Sequence, residues 1–204
     1  MNRKKQILIF IVMIPLLYLS LLRLGDYYLT PEGVFYACEK GLRYGPSEEI
    51  LAEYKLADGG KLIVGKWGGN LSAVPVERVY GLLWHLKDGG VSGLITCDKV
   101  VFAYLRTDGR VLGLTSDQLV KEVTCRIEYG DFENPSVQEF TMTVDEGGYF
   151  TGIWKNQKQE YDYECITYVE GKNSEGIVIY RDGMSPAGEF YYDGILNGAE
   201  GKRE

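Results

Sequence analysis

Glu160, Asp162 and Glu164 alternate with Tyr161, Tyr163 and Cys165 in the stretch QEYDYECITYVE. On an extended strand successive side chains point to opposite faces, so the three acids would share one face, roughly 7 Å apart, with the tyrosines and the cysteine on the other. That spacing suits a cation, a basic partner, or the paired carboxylates of glycoside hydrolysis. Two observations weigh against metal and hydrolase. No Asp-x-Asp-x-Asp-Gly loop is present, and acids along one strand stand on the same side of a substrate instead of flanking it. The pattern is expected to be a solvated outer face.

Cysteine and histidine chemistry is sparser still. Cys38, Cys97, Cys125 and Cys165 are separated by 59, 28 and 40 residues, so there is no Cys-x-x-Cys pair to hold zinc. An even count in an exported domain points to two disulfides, with Cys38–Cys97 and Cys125–Cys165 the pairing that two separately folding units would use. His85, the single histidine, lies in the apolar run LLWHL with no Gly-x-Ser-x-Gly elbow or catalytic cysteine phrase in the chain. It reads as a strand residue. Phosphate-binding glycine loops and dinucleotide fingerprints are likewise missing, so no catalytic residue, metal or cofactor is expected.

Aromatic side chains offer the remaining chemistry. Sixteen tyrosines are many for 204 residues, and the doublet Tyr191-Tyr192 places one ring on each side of an extended strand. Such rings stack on sugars or peptide through apolar faces and a polar tip. Together with Trp154, Glu160, Asp162 and Glu164 they form the candidate ligand surface. Trp154 has a second reading as a core anchor, as does Trp67, because a buried indole contributes a large apolar area. The two tryptophans close similar phrases, DGGKLIVGKW and EGGYFTGIW, each opening on an acidic-glycine turn.

The elements that must position these residues begin with an anchor. Arg3, Lys4 and Lys5 precede sixteen uncharged, almost wholly apolar residues, Ile7 to Leu22, closed by Arg23. No small-x-small cleavage site follows, which favours an uncleaved transmembrane signal anchor over a signal peptide. The basic flank places the N-terminus in the cytoplasm and the remainder outside. Pro15 and Ser20 mark where this helix would pack against a membrane partner. Four of the 22 Lys and Arg lie at or before Arg23 and all 29 acids follow it, so residues 24–204 carry 18 cations against 29 acids, a net of −11. An acidic surface repels phosphate backbones, which excludes nucleic acid as a partner.

Outside the anchor, acidic-glycine phrases recur at 58–60, 88–90, 108–109, 146–148, 182–183 and 193–194, and they predict hairpin turns. Between them, runs such as Glu139 to Val144 alternate with period two. VYGLLWHL (79–86) and VVFAYL (100–105) are apolar on both faces and predict central strands. Thr30-Pro31-Glu32 signals a helix running to Gly41, and Thr115-Ser116-Asp117 a second, shorter one. The expected fold is mainly β: a transmembrane helix (1–24), a juxtamembrane segment with a short helix (25–47), a first antiparallel β unit (48–114), a helix or linker (115–121), a second β unit (122–196) and a polar tail (197–204).

A short N-terminal anchor followed by a Thr-Pro-Glu helix and β-rich sequence resembles the small uncharacterised exported proteins of Gram-positive bacteria, over residues 1 to about 65. Gly33 stands where such families usually carry alanine. The resemblance implies surface attachment and no known activity. The function expected from the residues is a non-catalytic binding or scaffolding module of the cell envelope, held in the bilayer by residues 7–22 and engaging a cell-wall or protein partner. A cell-envelope hydrolase using carboxylates and an accessory subunit of another membrane protein are the alternatives.

Overall fold

The computed structural model describes residues 3–87, 93–131, 133–154 and 163–195, and is mainly β with two helices. The turn phrase at 88–90 and the tail at 197–204 lie outside the described residues. Helix α1 covers Arg3–Leu24. Its apolar side chains from Ile9 to Ile14, and Leu16, Leu17 and Leu19 beyond Pro15, are exposed on every side of the helix. Among the described residues no helix is long and apolar enough to cross a membrane. The transmembrane character expected from the sequence is therefore not shown by the structure. Ser20 Oγ donates to Leu16 O (2.8 Å), so this hydroxyl is satisfied within its own helix.

Helix α2 (Pro31–Gly41) forms where the sequence signals it. Thr30, in extended conformation, accepts a hydrogen bond from Gly33 N (3.1 Å), Pro31 occupies a first-turn position, and Leu42 N–H closes the last turn on Cys38 O. The first sheet contains β1 (Glu49–Lys55), β2 (Lys61–Trp67), β3 (Asn70–Val79) and β4 (Leu83–Leu86) in that order, with β5 (Gly93–Ile95) also pairing β3. Val34 and Phe35 of α2 pack on Ile63, Val74 and Val76 to make its core. Each such fully buried side chain contributes ~1.5–3 kcal/mol. The expected central strand at 79–86 is two strands, because Tyr80 and Gly81 both adopt positive φ (50° and 73°) and turn the chain back on itself.

The remaining strands are β6 (Val101–Leu105), β7 (Arg110–Thr115), β8 (Glu122–Gly130), β9 (Pro135–Thr143), β10 (Tyr149–Ile153), β11 (Tyr163–Lys172), β12 (Val178–Met184) and β13 (Phe190–Ile195). They form a three-stranded sheet, β10-β7-β6, and a five-stranded sheet, β13-β12-β11-β8-β9. One core joins the two, built on Val111, Val123, Cys125, Ile127, Phe150, Val169 and Tyr180. Phe140, Met142 and Val144 face it from β9 and its end, as the alternation predicts. β6, expected as a central strand, is instead an edge strand that, among the described residues, pairs with β7 alone.

Contacts divide the chain into Met1–Gly68 with Ser72–Leu94, and Gly69–Leu71 with Ile95–Glu204. The sequence places the boundary later, at 115–121. It falls near residue 95 because β6 and β7 pair with β10 and not with the first sheet. The short helix expected after Thr115 is a turn: Asp117 Oδ1 accepts from Leu119 N (2.9 Å), and Val120 drops into the core.

The turn phrases at 58–60 and 108–109 close hairpins, and that at 146–148 is a tight turn that carries the chain from β9 of one sheet to β10 of the other; Gly59, Gly109 and Gly148 all have positive φ. Asp182-Gly183 and Asp193-Gly194 do not turn; they lie inside β12 and β13.

The first unit depends on one buried acid. Glu39 is 0 % exposed, and its carboxylate accepts from Ser47 N (2.9 Å) and Ser47 Oγ (2.5 Å), fixing the loop from α2 to β1. A Cβ at Gly65 would come within 2.6 Å of Ser47 Oγ, so β2 can approach this pair only through a glycine. Replacing Glu39 by alanine is expected to destabilise the protein by at least about 2 kcal/mol, since it strands a buried N–H and hydroxyl and opens a cavity. Urea denaturation of the variant measures this, and an unchanged midpoint would contradict it.

Candidate functional site

β11 is the strand from which the site is built. Its pairing with β8 slips between Ile166 and Tyr168, leaving Thr167 as an extra residue in a bulge. A second slip lies between β12 and β13: Arg181 opposes Gly194 but Gly183 opposes Tyr191, so Asp182 alone faces Tyr192 and Asp193. Gly183, at φ 90°, sits between the two irregularities, and a Cβ there would fall 2.2 Å from Thr167 O. Only glycine combines that φ with that approach.

These distortions open a groove of about 340 Å³ in the second unit. One wall is the stretch Val101 to Ala103 of β6; the other carries Thr167, Asp182, Phe190 and Tyr192. Lys99 forms an ion pair with Asp182, whose side chain is 12 % exposed, and the Lys99 ammonium also stands 5.5 Å from the Tyr192 ring centroid. Phe190 and Tyr192 are 70 % and 79 % exposed. Adjoining the groove and sharing Thr167 and Phe190 with it is a hollow of about 360 Å³, where Arg126, Glu128 and Ser185 add polar groups.

The backbone of β6 gives the groove a further feature. Ser116 N–H donates to Val100 O (2.9 Å), and Thr115 N–H donates to Gly148 O on the other side of β7. Alternation then directs the N–H and C=O groups of Phe102 and Tyr104 toward β7, and those of Val101, Ala103 and Leu105 away from it. Val101 is buried in the core, so the outward groups of half-buried Ala103 and Leu105 are those that border the exposed aromatic rings.

The residues expected to form a ligand surface are sorted by the sheet. Tyr192 lies in the groove. Tyr191 lies on the opposite face, where its hydroxyl bonds to Glu189 and Arg181 Nη1 (3.3 Å) and its ring stands 6.4 Å from that of Tyr168. Tyr168 in turn donates to Glu170, which lies 3.5 Å from Arg181 Nε. Burial and the Glu170 carboxylate push the Tyr168 phenol well above its usual range. Trp154 is 7 % exposed against Tyr129, a core anchor and not a ligand platform. Glu160 and Asp162 lie outside the described residues.

Glu164 corrects the reading of its run. It opposes Tyr129 and shares the inward face with Ile166 and Ile127, whereas Tyr163 and Cys165 point outward beside Glu128. Tyr163 donates to Glu128 Oε1 (2.8 Å), and its phenol is raised to about 12, by desolvation first and then by that hydrogen bond. The assignment of inner and outer faces is the reverse of the expected one because Ile166, in phase with Glu164, is drawn into the core.

The expected disulfides are absent: no disulfide bond is present among the described residues. Cys125 opposes Val169 and Cys165 opposes Glu128, so the two are offset by roughly 10 Å along adjacent strands. That offset exceeds the ~7 Å limit for a bridge. Cys125 also points into the core while Cys165 is exposed. Cys38 and Cys97 belong to different units. His85 stacks on Tyr27 at 5.3 Å between ring centroids. Among the described residues no group of three or more His, Cys, Asp or Glu side chains could hold a metal ion.

Lys99, Thr167, Asp182, Phe190 and the β6 edge were not legible as a site. Asp182-Gly183 resembles a turn in sequence, and only its phase with buried Tyr180, two residues earlier, signals an inward acid.

Two outcomes follow from this geometry. Gly183→Ala should cost more than about 1 kcal/mol in urea denaturation, from the left-handed backbone and the Thr167 contact; a neutral result would contradict the close approach. Burial raises the thiol of Cys97 to about 11 and that of Cys125 to about 12. At pH 8 about one part in a thousand or less of either is thiolate. A thiol-specific disulfide reagent should therefore modify exposed Cys165 well before Cys97 or Cys125 in the native protein, and all of them once unfolded. Equal native rates for Cys125 and Cys165 would contradict the sheet register.

The chain matches no family model, no curated protein and no solved structure.

Proposed function

We propose that this protein is a membrane-anchored binding module that captures an extended polypeptide segment in the groove of its second unit. The observation that carries the reading is the open edge of β6 beside exposed Phe190 and Tyr192. An added strand would pair with the outward N–H and C=O groups of Ala103 and Leu105, while its alternate side chains rest on the two rings. Backbone hydrogen bonds of this kind supply affinity with little sequence demand; the rings and the Lys99–Asp182 pair supply selectivity. A saccharide would use the rings and leave the edge unused. This favours peptide over cell-wall sugar.

In this reading α1 is the anchor. Its 22 residues reach about 33 Å, its exposed apolar side chains surround the helix, and Arg3, Lys4 and Lys5 precede them. The N-terminus is then cytoplasmic and the β units lie outside the membrane, in the cell envelope. The module carries no chemistry of its own; it holds a partner chain at the outer surface.

Proline at Ala103 tests the groove. The Ala103 N–H points away from β7, so an edge proline leaves the sheet paired while deleting a donor from the proposed docking edge. A photoreactive phenylalanine at Phe190 should crosslink a polypeptide partner in intact cells. Ala103→Pro should reduce that yield at least about tenfold while changing stability by less than about 1 kcal/mol. Undiminished crosslinking in the proline variant would rule out strand addition.

A further inference from the structure

The hairpin between β3 and β4 presents large side chains to solvent where polar turn residues are usual. Tyr80 is 80 % exposed and Leu82 67 % exposed. Tyr80 also holds φ 50°, a left-handed conformation that is a genuine outlier for a bulky residue and typical of asparagine or glycine. A strained, exposed tyrosine at a turn contributes nothing to the core, which points to a contact outside it.

Chain connectivity says what that contact is. Two residues, Gly25 and Asp26, separate Leu24, the end of α1, from Tyr27, a reach of at most about 10 Å. Tyr28 N–H donates to Trp84 O and Trp84 N–H donates to Tyr28 O, both at 2.8 Å, so the segment leaving α1 is paired to β4 in both directions. The Tyr27 ring meets the Tyr80 ring edge to face at 5.9 Å. Leu29, 59 % exposed, continues the same segment. The Arg78 guanidinium and the Lys61 ammonium stand 5.9 and 5.4 Å from the Trp84 ring centroid. Aromatic rings with cations beside them, next to the end of an apolar helix, have the composition of a membrane–water interface.

We infer that the tip of the β3–β4 hairpin, Tyr80 to Leu82, together with Tyr27 and Leu29, rests in the interfacial layer of the bilayer that holds α1. The inference builds on the anchor reading above. Its consequence is that the first unit is held against the membrane at two points, α1 and the hairpin, and does not swing on a free tether. Arg78 lies within reach of lipid phosphates, whereas Lys61 is held by Glu53 (2.8 Å), so anionic lipid strengthens the contact through Arg78.

Tryptophan fluorescence in lipid separates the two claims. Full-length protein is reconstituted in vesicles of phosphatidylcholine and phosphatidylglycerol, with or without bromine on acyl carbons near the headgroup. Tyr18→Trp reports α1, Tyr80→Trp the hairpin, and Leu82→Trp repeats the hairpin measurement at a residue without positive φ. The expected result is that the added tryptophan at 80 or 82, taken by difference from the parent protein, is quenched at least about twofold by brominated lipid. Quenching at 18 with none at 80 and 82 would overturn the hairpin contact and leave the anchor standing. Quenching at 80 and 82 with none at 18 would support the surface contact and remove the spanning helix. A blue-shifted but unquenched tryptophan at the tip would place protein there, a partner or a second copy, and overturn the lipid assignment. Quenching at none of the three overturns both.

Discussion

A single strand must bury Ile166 and Val169 on one face although they stand three positions apart, and strict period-two alternation forbids it. The bulge at Thr167 resolves the conflict by inserting one unpaired residue, after which the phase of β11 is reversed. Every placement around the groove inherits that reversal. Before the bulge, Tyr163 and Cys165 face outward and Glu164 inward; after it, Tyr168 and Glu170 face outward and Val169 inward. Asp182, paired with Val169, is thereby turned toward Lys99.

The same constraint explains why Gly183 lies where it does. The Thr167 carbonyl bulges toward β12, and the strand can stay paired only if the residue beneath it has no side chain and accepts a left-handed backbone. The slip between β12 and β13 then brings Tyr192 over the Lys99–Asp182 pair, while Tyr191 joins the outer network of Arg181, Glu170 and Tyr168. A tyrosine doublet is split into one structural ring and one available ring. The outer network shows how half-buried charges are managed: Glu170 meets Lys172 as well as Arg181.

In the first unit the corresponding constraint is the Glu39 carboxylate, buried and held by Ser47 beneath α2. It fixes the path from α2 into β1. The segment between α1 and α2 is held separately, by the backbone pairing of Tyr28 with Trp84, which gives it a fixed relation to the β3–β4 hairpin.

What the sequence determined by itself is local. The start of α2 was legible because its cap and its proline act within one helical turn, and the turns at 58–60, 108–109 and 146–148 were legible because acidic-glycine pairs supply the backbone those turns require. The mainly β fold and the inward row Phe140, Met142 and Val144 follow from periodicity alone. Tertiary structure decided everything that depends on phase or pairing between distant segments. Whether Asp182-Gly183 turns or bulges depends on the Thr167 carbonyl of another strand. Whether β6 is central or an edge depends on which strands lie beside it, and whether Cys125 can reach Cys165 depends on the register of β8 against β11. A strand's composition records what it prefers to bury, but a one-residue slip exchanges its faces. The groove is made of two such slips and an open edge, features that no single segment encodes.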